Sequence, residues 1–313
     1  MTGTWPLSEP TPVTDRLDEA FRHVDFAGCQ VFVLLGHPRS DIGKGQLVAR
    51  LAAIAPGPAT VVKFDGILNT NERGNHPSPN DDLATYRRFV PGIVMGWPNQ
   101  ILGGDVLLSF LREFGGTDWE HLSFVPHLSR FFLLTLHRAW VDAGRPEHLF
   151  VELGGTVFDQ ELTTYALPAL SMLGTPVNAR VTTALLSELP GGFVEPKTRS
   201  LQDCLTGSLR FGLLYDVLFL RVPERDPGDD ELAALEAAVA AKLRRHLVHR
   251  PTPPRLVVVP TFEGPALDGY LDYLHRRRHL VADLGRPAAG VTITGGSGRR
   301  SEETREGTVP CAG

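Results

Sequence analysis

Cysteine is scarce in this chain of 313 residues, which carries only Cys29, Cys204 and Cys311. Three thiols so widely spaced supply neither a disulfide framework nor the paired spacing of a zinc site, and a reducing cytoplasm is the expected setting. A basic excess is also missing. The 31 Lys and Arg are outnumbered by 36 Asp and Glu, leaving a formal charge of -5 that gives no support to a nucleic-acid-binding surface. No apolar run reaches membrane-spanning length, and the opening M-T-G-T-W-P-L-S-E-P-T-P lacks a basic region followed by an apolar one. The expectation is a soluble, unprocessed protein that engages neither membrane nor nucleic acid. There is no internal repeat.

What the chain does have is apolar residue: a 42% hydrophobic content is enough for one large core or two small ones. Residues 1–14 are rich in Pro and Thr and read as a flexible arm, while residues 286–313, rich in Gly, Ser, Arg and Glu, read as a disordered tail. Between them, residues 15–285 form the expected folded domain. Strands are predicted at Val31 to Leu35, Ala59 to Phe64, His148 to Leu153, Pro176 to Thr182, Asp216 to Leu220 and Arg255 to Val259. Helices are predicted at Asp15 to Val24, from Gln46, around Asp82 to Phe89 and Gly104 to Phe114, and at Ser200 to Leu209, Glu231 to His246 and Leu267 to His275. Asn69 to Asn80, rich in Asn, Pro and Gly, reads as a loop. Strands alternating with helices imply parallel β-α-β units and a doubly wound α/β fold with a mainly parallel sheet.

The stretch Gln30 to Gly45, Q-V-F-V-L-L-G-H-P-R-S-D-I-G-K-G, organises the rest. A buried strand turns through glycine into a helix, and a lysine at a helix N-terminus joins backbone N–H groups, a dipole end and a point charge into a polyphosphate site. The match to the P-loop pattern G-x-x-x-x-G-K-[ST] is partial, with Pro38 at its first glycine and Gly45 at its hydroxyl position. A tight glycine turn with an exposed lysine is the alternative.

Ligands in open α/β sheets bind at the carboxyl ends of the strands, where this chain places Lys44, Lys63, Asp65, Glu152 and Arg221. Lys63 lies between apolar Val62 and Phe64, so it either joins the site or points to solvent. Asp82 either binds a ligand or caps a helix. Glu152 ends an otherwise apolar strand, where a carboxylate is costly unless it is paired or holds a cation.

Five ordered stretches, G-H-P-R-S-D-I-G-K-G, V-K-F-D-G-I-L-N, D-D-L-A-T-Y-R-R-F, F-V-P-H-L-S and V-E-L-G-G-T-V-F-D-Q-E, resemble the synthetase (amidoligase) domain of CTP synthase. The likeness runs from about Val31 to Arg221 and more faintly to about His275. It implies a P-loop-type, dethiobiotin-synthetase-like fold and an ATP- and Mg²⁺-dependent carbon–nitrogen ligase. In that family O4 of UTP is phosphorylated and ammonia displaces the phosphate. The resemblance implies that Lys44 and Lys63 are catalytic and that ATP is bound by Ser40, Gly43, Lys44, Gly45, Asp65 and Arg221. It further implies that Asp82 and Glu152 bind Mg²⁺ and that Ser123, Asp159, Glu161, Lys197 and Arg199 face the acceptor. A homodimer or homotetramer is implied as well.

The departures from the family fall on the acceptor side. The family's H-G-E-V-F-V loop is replaced by the shorter Thr70 to Asp81, its glutamine before V-I-P-H-I-T by Ser123, and its K-T-K-P-T-Q-H-S by Glu195-Pro196-Lys197-Thr198-Arg199-Ser200. The family's glutaminase domain is not expected, so nitrogen comes from free ammonia, another amine or a separate glutaminase. The resulting expectation is a stand-alone amidoligase acting on a pyrimidine nucleotide or related carbonyl compound. An ammonia-dependent CTP synthase and a non-catalytic nucleotide-binding regulator are the alternatives.

Overall fold

The structure, a computed structural model, describes residues 12–66, 68, 81–90, 99–114, 122–223, 228–247, 252–260 and 273–274. The expected N-terminal arm, the loop over 69–80, the helix over 267–275 and the C-terminal tail lie wholly or largely outside these residues. The strands are β1 (Gln30–His37), β2 (Ala59–Asp65), β3 (Gln100–Leu102), β4 (His148–Leu153), β5 (Arg180–Glu188), β6 (Val217–Val222) and β7 (Arg255–Pro260). They form one sheet in the order β3-β2-β4-β1-β5-β6-β7, and every neighbouring pair is parallel. All seven carboxyl ends therefore share one edge. The sheet is the doubly wound α/β type that alternating strands and helices predict.

Alternation along each strand divides the core. Phe32 and Leu34 of β1 face one side, with Val61, Phe150 and Phe219, and are covered by α2 (Lys44–Ala53) and α3 (Asp81–Phe89). Val31, Val33 and Leu35 face the other side, with Val62, Leu149 and Leu218. That face is covered by α1 (Pro12–Arg22), α4 (Gly103–Phe114), α5 (Ser129–Asp142), α6 (Leu167–Met172), α7 (Arg199–Ser208) and α8 (Asp229–Leu243). Because helices cover both faces, β1 is apolar along its length and Val31 to Leu35 are at most 3% exposed. Each such side chain contributes about 1.5–3 kcal/mol of burial.

Several features depart from the expected pattern. The strand expected at Pro176 to Thr182 instead begins at Arg180, because Thr175–Val177 closes a tight turn and Asn178 adopts a left-handed φ of 54°. The short edge strand β3 and the helix α5 were not expected. In α5, Phe131 to Leu134, Leu136, Ala139 and Trp140 are all buried, so the helix is apolar round most of its circumference and shows no single stripe. The helix after β1 begins at Lys44, two residues before the predicted Gln46.

Candidate active site

Lys44 is the first residue of α2, and its side chain folds back under the loop that precedes it. Its Nζ donates to the carbonyls of Ser40, at 2.9 Å, and Gly155, at 2.7 Å, so this lysine joins the loop after β1 to the loop after β4. It is 2% exposed, which removes the exposed-lysine alternative. Gly36 makes the fold-back feasible, because a Cβ there would lie 2.8 Å from Lys44 Cδ. Gly43, at φ 86°, occupies the left-handed turn that opens α2, and the helix has no side-chain cap. The first N–H groups of a helix have no intrahelical partner, and here they lie beside a buried ammonium group.

Next to this loop, register sets Lys63 of β2 directly beside Glu152 of β4. Paired positions on neighbouring parallel strands face the same side, and this side is the one covered by α2 and α3. Lys63 is 7% exposed and Glu152 3%, so Lys63 is not the solvent-facing lysine that alternation allowed. Lys63 Nζ lies 3.6 Å from Asp65 Oδ2, and the Tyr86 hydroxyl of α3 donates to Glu152 Oε2. Asp65 in turn presses on Gly154, where a Cβ would meet Asp65 Oδ1 at 2.1 Å, and the Gly154 N–H donates to the Phe64 carbonyl at 2.6 Å. Burial of these charges is sustainable because they sit in one mutually compensating group.

The remaining predicted residues are more dispersed. Arg221, in β6, donates to the Ile42 carbonyl and lies across Gly43, where a Cβ would sit 2.7 Å from its Nη1. Gly45 is buried in the first turn of α2, and Ser40 stands exposed on the loop. Asp159 is turned into its own loop, accepting from the Thr156 N–H and hydroxyl at 2.7 Å each. Glu161 is exposed and backs Gly66, while Ser123 donates to the Val125 carbonyl at 2.7 Å within its own turn. Lys197 and Arg199 lie on the β5 side of the phosphate loop, exposed and already paired, with Glu195 at 2.7 Å and Asp203 at 3.0 Å. Asp82 lies in the first turn of α3, and its side chain is outside the described part.

Sequence reasoning passed over Tyr86, although it stands four residues after Asp82 in a quoted stretch. It also passed over Phe158, which follows the Lys44-binding loop and packs its ring edge against His37 at 5.4 Å. Burial holds the His37 imidazole below its ordinary value, against the opposing pull of the Asp203 carboxylate. Phe158 and Arg199 also border a groove of 640 Å³ along α7. Burial pushes the Cys29 thiol up to about 12 and the Cys204 thiol up to about 11, so neither supplies a thiolate near neutral pH.

No three His, Cys, Asp or Glu side chains converge on a point among the described residues. A closed protein cage is therefore not formed by them. Glu152 nevertheless has the donor type and position that suit Mg²⁺, which is usually bound by one or two carboxylates together with phosphate and water oxygens.

No protein-family model matches the chain, and no curated protein matches it. Among solved structures, the hydrogenase maturation factor HypB from Archaeoglobus fulgidus is 14% identical over 86% of this chain and 97% of its own, with a TM-score of 0.37. HypB from Helicobacter pylori, in complex with nickel, is 14% identical over 86% and 96%, also with a TM-score of 0.37. A bifunctional folylpolyglutamate synthase/dihydrofolate synthase from Yersinia pestis, complexed with AMPPNP and Mn ion, is 14% identical over 82% and 48%, with a TM-score of 0.32. Likenesses this distant leave the functional reading to the geometry of the site.

Proposed function

We propose that the chain is an ATP- and Mg²⁺-dependent amidoligase that activates a carbonyl oxygen of a pyrimidine nucleotide or related acceptor by phosphorylation and replaces it with ammonia or an amine. The observation that carries this reading is the gathering of Lys44, Lys63 and Glu152, all buried, on one face of the sheet at the strand ends. Two buried ammonium groups beside a helix N-terminus favour the dispersed negative charge of a transferring phosphoryl group, and such fixed electrostatics dominate phosphoryl transfer. Glu152, with Asp82, would hold the Mg²⁺, which supplies further neutralisation at the phosphate oxygens.

The steps need no side-chain nucleophile. The acceptor oxygen forms a bond to the γ-phosphorus while the bond to ADP breaks, with Lys44 and Lys63 holding the phosphates in line. The amine then bonds to the activated carbon, phosphate leaves with its electron pair, and the nitrogen loses a proton. On the acceptor side, the neutralised pairs Lys197–Glu195 and Arg199–Asp203 favour an acceptor with fewer phosphates than UTP.

The test is ADP release from ATP with ammonia and, in turn, UTP, UMP and uridine. A higher kcat/KM for UMP or uridine than for UTP is expected. A clear preference for UTP restores an ammonia-dependent CTP synthase. Binding of an ATP analogue without acceptor-dependent ADP release replaces catalysis with a regulatory, nucleotide-binding role.

A further inference from the structure

Tyr86 is one of the largest fully buried side chains of the protein, and its hydroxyl donates to a carboxylate. Core tyrosines bury their ring for its apolar area and need one partner for the hydroxyl. Here that partner is Glu152, the acid at the end of β4 that register places beside Lys63. The helix bearing Tyr86 is short, nine residues, and is held a second time in the same last turn, at Phe89. The Arg50 guanidinium of α2 lies 4.4 Å from the centre of the Phe89 ring, and its Nη1 donates to the Gln46 carbonyl at 2.7 Å. Phe89 against α2 and Tyr86 against β4 together fix the last turn of α3, and the first turn follows from it through the continuous helix. Asp82 stands in that turn, four residues and about one helical turn before Tyr86.

We propose that Tyr86 is the positioning residue of the cation site, a reading that rests on the amidoligase assignment and on Glu152 and Asp82 as the acids that serve it. One hydrogen bond does two things. It fixes the rotation of the Glu152 carboxylate at the strand end, and it ties that carboxylate to the helix that carries the second acid. Asp82 and Glu152 are 70 positions apart in sequence, and the Tyr86 hydroxyl links their two elements directly. A carboxylate oriented by a neighbouring hydroxyl keeps its conformation when a cation arrives, and loss of such an outer partner typically lowers metal affinity about tenfold to a hundredfold.

The experiment is titration of Mn²⁺ into the full chain in the presence of AMPPNP, followed by calorimetry or by the electron paramagnetic resonance of free Mn²⁺. Wild type, Tyr86→Phe, Glu152→Gln and the double variant are compared, with thermal melts in chelator as a separate record of folding. Tyr86→Phe keeps the ring and is expected to weaken Mn²⁺ binding about tenfold or more while AMPPNP binding without metal is unchanged. In the Glu152→Gln background the same replacement is expected to change Mn²⁺ affinity less than twofold, because the hydroxyl acts through that carboxylate. Unchanged Mn²⁺ affinity in Tyr86→Phe, or an equal loss in both backgrounds, overturns the proposal while leaving the amidoligase reading standing. Failure of the wild type to bind Mn²⁺ with AMPPNP overturns both. A purely structural tyrosine would lower the melting temperature and leave the Mn²⁺ isotherm of the folded fraction unmoved.

Discussion

The loop after β1 has two flanks, and they are built in opposite ways. On the β2 and β4 side, Lys63, Glu152 and Tyr86 are buried, and Gly154 lets Asp65 approach closer than any Cβ would allow. On the β5 and α7 side, Lys197, Glu195, Arg199 and Asp203 lie in solvent and satisfy one another, and neighbouring Val194 is 95% exposed. Charge on the first flank is held at fixed positions in a poorly solvated setting, where it acts strongly on a ligand; charge on the second is screened by water and by its own partner. The first flank suits chemistry that a family of substrates has in common. The second is free to change with the substrate.

The largest effect that this contrast predicts is on turnover. Lys44→Met and Glu152→Gln should each lower kcat by about a hundredfold to a thousandfold, as loss of one fixed transition-state contact does. Lys197→Ala should change KM for the acceptor and leave kcat within about threefold, since an interaction equal in ground and transition states acts on binding alone. Steady-state ADP release across a range of acceptor concentrations reads both, and a kcat in Lys197→Ala as damaged as in Lys44→Met would erase the contrast. A smaller effect concerns stability. Gly154→Ala forces its methyl group onto Asp65 Oδ1 and the Phe64 carbonyl and should cost about 1–3 kcal/mol, whereas Val194→Ala should stay within about 0.5 kcal/mol. Urea midpoints at constant slope decide this, and a tolerated Gly154→Ala would mean that the β2 and β4 flank is less rigid than its packing implies.

The smallest effect is on the acid limb. His37 prefers its neutral form in the folded protein because of burial, so its folded value lies below the ordinary value near 6.5. The unfolded chain then binds more protons as pH falls below that ordinary value, and stability present above it is lost as pH drops through the folded value. His37→Gln should therefore lose less melting temperature than the wild type between pH 7.5 and pH 5.5. An identical loss in the two proteins would show that His37 contributes nothing to the limb. His137 and His148, shifted the same way by burial, keep most of the acid sensitivity in both.

The parallel sheet was legible because its strands are short apolar runs bounded by glycine and charge, and a charged residue closing such a run announces a strand end. Lys44, Lys63 and Glu152 could be placed on one edge by that logic alone. Burial of Lys63 could not, since alternation allowed either direction and only the register with Glu152 decides it. The Tyr86 hydroxyl bond spans 66 positions and the Lys44 bond to Gly155 spans 111, distances over which no local pattern operates. The opposite limit applies to Asp159, whose partner Thr156 is three residues away. The Thr156 contact shows how Asp159 is held in its turn and leaves its expected role toward an acceptor as a proposal. The buried helix α5 escaped for a different reason, since a helix covered on most sides has no stripe to count.

Arg221 reaches the loop after β1 from β6, two strands away from β1, and its guanidinium spans the Ile42 carbonyl and Gly43. The loop's shape is thus tied to the sheet by a distant neighbour as well as by its own strand. Under the proposed function, an incoming polyphosphate would meet amide groups that are already arrayed, with little of its binding free energy diverted into ordering the chain. Encounter would then be governed by dehydration and charge, with rates that follow ionic strength more than conformational search.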